Sequence, residues 1–102
     1  MNPQTLARFE ARARIMKALA HPSRLFIVDE LSRGEQSVAE LTRMIGADIS
    51  TVSKHLAVLR AVGLLRDRKQ GTHVFYSLTA PCIMNFFGCL ENVIKSTAEA
   101  LR

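Results

Sequence analysis

Cysteine is scarce in this chain, and long apolar runs are absent. The 102 residues include two cysteines, Cys82 and Cys89. A chain of this length can bury about two-thirds of its unfolded surface in one domain, so it needs no disulfide framework and its thiols are expected to stay reduced. No run of 18 or more apolar residues occurs, so no transmembrane span is expected. The opening Met1-Asn2-Pro3-Gln4-Thr5 lacks the hydrophobic core of a secretory signal, which points to the cytoplasm. There is no Gly-rich phosphate loop, no carboxylate pair in a catalytic setting and no nucleophile beside a base, so an enzyme is not expected. The three histidines, His21, His55 and His73, share no metal-ligand spacing.

What is present is positive charge, unevenly placed. The net charge is +5. Lys54, Arg60, Arg66, Arg68 and Lys69 are opposed only by Asp67 within that stretch. Arg8, Arg12, Arg14 and Lys17 are opposed only by Glu10. After Ser77 the charges cancel, Lys95 and Arg102 against Glu91 and Glu99. A basic block beside a neutral apolar tail suggests nucleic acid at one end and a protein surface at the other.

The basic block opens on residues 48–63, which read as one helix. Val52, Leu56, Leu59 and Gly63 recur at helical period and form a single apolar stripe. Asp48 suits the N-cap, and Gly63 the stop. Ser50, Thr51 and Lys54, flanked by Ser53 and His55, form a polar front of small hydroxyls and one cation. Such a front suits the major groove, where hydroxyls and Lys donate to phosphates and base edges. Taken alone, it reads rather as a solvated helix face.

Its neighbours favour DNA. A first helix over about residues 4–20 carries Leu6, Phe9, Ala13, Met16 and Ala20 on one face, which needs a cover. Pro22 is well placed to start a second helix, running to about Ser32 with Leu25, Val28 and Leu31. Ser37 with Glu40 is a capping-box pattern opening a third helix to Ile45. Gly46-Ala47 is then the turn of a helix-turn-helix, with Ala39, Val52 and Leu56 expected where the two helices touch. Residues 73–78 alternate like a strand, and residues 64–68 can pair with them around a Lys69-Gln70-Gly71 turn. A basic hairpin directly after a recognition-type helix reads as a wing, with Arg66, Arg68, Lys69 and Gln70 set to hold the DNA backbone. Thr79-Ala80-Pro81 starts a last helix to about Leu101, apolar over much of its girth. The expected fold is mainly α with a small β-hairpin, a winged helix-turn-helix forming one domain over residues 1–102. Residues 21–78 would be the DNA-binding core, and 1–20 and 79–102 the dimerisation helices. Phe9, Met16, Phe86, Phe87, Leu90 and Ile94 are the expected dimer contacts.

Three stretches together resemble the ArsR/SmtB family of bacterial winged-helix repressors: 17–25 (KALAHPSRL), 50–64 (STVSKHLAVLRAVGL) and 71–78 (GTHVFYSL). The resemblance covers about residues 14–90. It implies a homodimer, paired through its first and last helices, that binds a palindromic operator in double-stranded DNA and represses transcription. It also implies release of DNA when an inducer binds, often a metal or metalloid ion. The chain departs from the family's arsenite box, where Ser37 and Ala39 stand in place of cysteines. It also departs from the family's zinc site on the last helix, since no histidine follows His73. Other members carry cysteine sensors on the last helix, and Cys82 and Cys89 match that looser pattern.

The two cysteines fall on one stripe with Phe86 and Val93, and Cys82 is expected in the first helical turn, where the helix dipole favours thiolate. Two thiols suit a soft ion, so trivalent arsenic or an organoarsenical is the expected inducer, with no cofactor required. The alternatives are a thiol redox or persulfide switch at the same cysteines, cysteines that only pack in the core, and a winged-helix interaction module without DNA binding.

Overall fold

The computed structural model describes residues 1–100, with the side chain of Ala100 left aside; the Leu101 end expected for the last helix lies outside the described residues. The element order is α1 (Pro3–Leu19), α2 (Pro22–Leu31), β1 (Gln36–Ser37), α3 (Val38–Ile45), α4 (Ile49–Ala61), β2 (Leu65–Gln70), β3 (His73–Leu78) and α5 (Ile83–Ala100). The expected order of helices, hairpin and last helix holds, with one short strand added.

Local chemistry sets most boundaries. Asn2 caps α1 by accepting the Thr5 N–H at 2.8 Å, and Pro3 follows at a position whose N–H needs no partner. Pro22 opens α2 in the same way, capped by His21 Nδ1, which accepts the Ser23 N–H at 3.0 Å. Ser37 caps α3 through the Glu40 N–H at 3.1 Å. Only half of the expected capping box forms, because the Glu40 carboxylate turns to Arg43 instead of back to Ser37. Asp48 caps α4, accepting the Thr51 N–H at 2.8 Å. At the far end of α4, Val62 is the cap and Gly63 takes φ 85°, while Leu64 N–H reaches Leu59 O at 3.1 Å and Gly63 N–H reaches Arg60 O at 3.0 Å. This is a Schellman stop: the left-handed glycine lets buried Leu64 fold back onto buried Leu59.

The core gathers the inward stripes. Ile27 and Val28 of α2, Leu41 of α3, and Val52, Leu56 and Leu59 of α4 are all fully buried. Ala39 is exposed, lining a cleft with Ile49 and Ser53 of α4, and Leu41, two residues on, is the fully buried residue of α3. Leu65, Tyr76 and Leu78 close the core from the sheet, while α1 adds Ala18 and Leu19. From α5, Ile83, Met84 and Phe87 pack at its edge.

The sheet is antiparallel in the order β1-β3-β2. Its hairpin register corrects the expected turn. Gln70 pairs with His73, so Lys69 and Gln70 belong to β2 and the turn is Gly71-Thr72. Gly71 has φ 62° at the first turn position, where a tight hairpin needs a residue tolerant of positive φ. The start of the last helix is also corrected. The Ala80, Pro81 and Cys82 carbonyls accept from Ile83, Met84 and Asn85 in a tight turn, so α5 begins at Ile83 and Cys82 lies just before it.

Candidate nucleic-acid interface

At 3.6 residues per turn the side chains of α4 divide into four directions. Val52, Leu56 and Leu59 face the core. Ser50 and Lys54 point away from it and are exposed. Ile49, Ser53 and Arg60 lie on the flank beside the wing, where Ile49 and Ser53 share a cleft with Thr72, His73 and Val74. Thr51 and His55, both half-buried, lie on the flank beside α2.

Those flanks behave differently from the front. The His55 ring sits 4.3 Å from the His21 ring, and its Nδ1 is 3.5 Å from Arg24 Nη1. Arg24 is in turn anchored, its Nε donating to the Ala18 carbonyl at 2.6 Å. Burial lowers the His55 pKa from its ordinary value, and the nearby His21 and Arg24 lower it further. His55, expected at the major groove, is thus engaged inside the protein, joining the recognition helix to the α1–α2 corner. On the front, the Asp48 carboxylate accepts from Ser50 Oγ at 2.7 Å as well as from the Thr51 amide. These hydrogen bonds, Ser50 first, hold its pKa down to about 2.

The wing is divided by strand alternation, with residues two apart sharing a face. Leu65, Asp67 and Lys69 lie on the core side of β2, and Asp67 accepts from Arg60 Nη1 at 3.0 Å, tying the wing root to α4. Arg66, Arg68 and Gln70 lie on the other side, opposite Ser77, Phe75 and His73. Arg68 is closely held there. Its Nη2 and Nε donate to the Glu35 carboxylate at 2.6 and 3.2 Å, its Nη1 donates to Gln70 Oε1 at 2.7 Å, and its guanidinium lies 4.8 Å from the Phe75 ring centre. The Glu35 pKa is lowered, chiefly by those hydrogen bonds. Of the cations on α4 and the wing, Lys54, Arg66 and Lys69 make no ion pair among the described residues and are available there to an anionic partner. The sequence reading missed Glu35 because it lies 33 residues from Arg68, beyond any local spacing rule.

At the opposite end, large apolar side chains remain uncovered. Phe9 and Met16 of α1 are about half exposed, and Val93 and Ile94 of α5 are more so. Phe86, Phe87 and Leu90 are half-buried. Cys82 and Cys89 are both exposed free thiols, so neither is a core residue within the single chain. Among the described residues no helix is long and apolar enough to cross a membrane, and no three His, Cys, Asp or Glu side chains are grouped to hold a metal ion.

A helix-turn-helix whose second helix runs into a hairpin wing makes this a winged helix-turn-helix protein. Residues 19–68 match the family described as a helix-turn-helix domain. The chain is 35% identical over 91 residues to the HTH-type transcriptional regulator YgaV of Escherichia coli K12, a match covering 88% of this chain and 92% of that protein. It superposes with a TM-score of 0.82, at 29% identity, on the homodimeric winged helix-turn-helix DNA-binding domain Mb0332 from Mycobacterium bovis, described as a possible ArsR-family regulator; 98% of this chain and 93% of that one are covered. The transcriptional repressor BigR from Xylella fastidiosa gives a TM-score of 0.76 at 33% identity, covering 91% and 95%. This chain belongs to the ArsR family of winged-helix transcriptional regulators.

Proposed function

We propose that this protein is a homodimeric repressor that binds a palindromic operator in double-stranded DNA and is released when a thiophilic ligand engages Cys82 and Cys89. The observation that carries the DNA reading is the exposed polar front of α4 beside unpaired wing cations, with uncovered apolar faces on α1 and α5. Thr51, Ser53 and Lys54 serve the major groove, where Ser50 offers only its oxygen because its proton goes to Asp48, and Arg66 and Lys69 hold backbone. His55 and Arg68 act by position, through the contacts that hold them. The dimer reading is supported by the homodimeric state of the Mycobacterium bovis domain, and repression by the BigR likeness.

The sensing step rests on two thiols that a ligand can reach. Cys82 lies in the turn just before α5, and seven residues at about 1.5 Å of rise still set its Cα about 10 Å from that of Cys89, beyond the roughly 7 Å of a disulfide. A single ion with bonds of about 2.3 Å to sulfur also cannot join them along one helix. The pair therefore works across the dimer, Cys82 of one protomer toward Cys89 of the other, or by movement of the Ala80–Cys82 turn. Trivalent arsenic fits this donor set because it is soft and accepts few ligands. Binding would shift the α5 seam and so the spacing of the two recognition helices, which must match half-sites about 34 Å apart.

The test is titration of the dimer with its selected operator, with and without arsenite. Cys82→Ser combined with Cys89→Ser is expected to keep operator affinity and lose the arsenite response. Release of the double variant by arsenite removes the sensing reading. Operator affinity indifferent to salt removes the DNA reading, since phosphate contacts impose a steep salt dependence.

A further inference from the structure

Ile49 is the first residue of α4, and 59% of it is exposed. Nothing local asks for a large β-branched side chain there. The first turn of a helix favours acidic or small polar residues and proline, and Ile49 is not among the buried residues of the core. It lines instead a cleft formed by the starts of α3 and α4 and by the wing, together with Val38, Ala39, Ser53, Thr72, His73 and Val74. On the reading that α4 enters the major groove, this cleft is where a base edge would lie.

The hydroxyl that follows Ile49 in the chain is already committed. The Asp48 carboxylate accepts from Ser50 Oγ and from the Thr51 amide, so the Ser50 hydroxyl proton is used within the protein. At Ile49 itself the recognition helix therefore presents an aliphatic surface, with the Ser53 hydroxyl one turn further on. In the major groove every base pair offers donors and acceptors, but thymine alone among the four bases adds an apolar group, its C5 methyl. Set against any other edge, Ile49 would strip water from polar atoms and return no hydrogen bond. Set against the methyl, it buries apolar surface on apolar surface.

We propose that Ile49 is a specificity-determining residue that selects thymine by contact with its C5 methyl, at one position in each operator half-site. This inference rests on the DNA-binding reading given above, and the experiment separates the two. The operator is first selected from a random duplex pool with the wild-type dimer. Each thymine of one half-site is then replaced in turn by deoxyuridine, which removes the methyl and leaves every hydrogen-bonding group in place. One replacement is expected to weaken wild-type binding by about fourfold, the worth of a single buried carbon group. In Ile49→Ala the same replacement is expected to cost nothing, while the profile at other thymines is unchanged. The alanine shortens an exposed side chain on a helix, so the variant keeps its fold, and an unchanged melting temperature checks this. A deoxyuridine profile identical in wild type and Ile49→Ala overturns the assignment while leaving DNA binding intact. Failure of the wild type to enrich any sequence overturns the DNA reading, and the role of Ile49 with it.

Discussion

Replacing Glu35 by Gln is expected to strengthen DNA binding and steepen its dependence on salt. In the wild type the Glu35 carboxylate takes two of the Arg68 N–H groups at 2.6 and 3.2 Å, and Gln70 takes a third at 2.7 Å. A phosphate approaching Arg68 must displace a carboxylate that already neutralises it. Glutamine has nearly the same size and still accepts a hydrogen bond, so the wing keeps its shape, but the competing charge is gone. Each additional neutralised phosphate changes the slope of log K against log salt by about −0.9, hence by about −1.8 for a dimer. Between 50 and 200 mM salt the variant should then lose about twelvefold more affinity than the wild type. Fluorescence anisotropy of a labelled duplex across a salt series measures the slope directly. Arg68→Ala in the wild-type background should change it little, whereas Lys69→Ala should reduce it by about one unit per protomer. An unchanged or shallower slope in Glu35→Gln would refute the reasoning and make Glu35 the group that aims Arg68 at phosphate.

Two further outcomes test the scaffold. His55 has a pKa below its ordinary 6.5, owing to burial first and then to His21 and Arg24, so the folded chain resists taking up a proton that the unfolded chain accepts. Stability is therefore expected to fall as pH drops below about 6.5 toward the folded pKa, and His55→Gln, which cannot titrate, should flatten that part of a melting-temperature profile; identical profiles would exclude the contribution. Leu56→Ala empties a fully buried site at the centre of the α4 stripe and should cost about 2–5 kcal/mol, seen as a lowered urea midpoint with an unchanged slope; a loss below about 1 kcal/mol would mean that the site collapses to fill the gap.

Much of the scaffold was legible along the chain because the forces that define it act over a few residues. Asp48, Ser37 and Pro22 mark helix starts since the unpaired N–H groups of a first turn lie within three residues of the capping side chain. The Val52, Leu56 and Leu59 stripe identified the buried face of α4 through helical period alone, and all three are fully buried. The exposed faces of α1 and α5 were equally legible, as apolar side chains beyond what one small core can cover. What the sequence left undetermined lies in contacts between distant segments. Strand β1 is two residues long, too short to carry a period, and exists only because β3 pairs with it. The hairpin register moved the turn to Gly71-Thr72, because pairing along both strands outweighed the local turn signal at Lys69-Gln70-Gly71. Strand alternation then placed Lys69 and Arg68 on opposite faces of a run that reads as one basic patch. The tertiary fold alone brought His55 to His21 and Arg24, and Glu35 to Arg68, and so decided which of the basic and polar side chains remain free for DNA. A side chain's availability depends on which other segments fold against it, and no spacing along the chain encodes that.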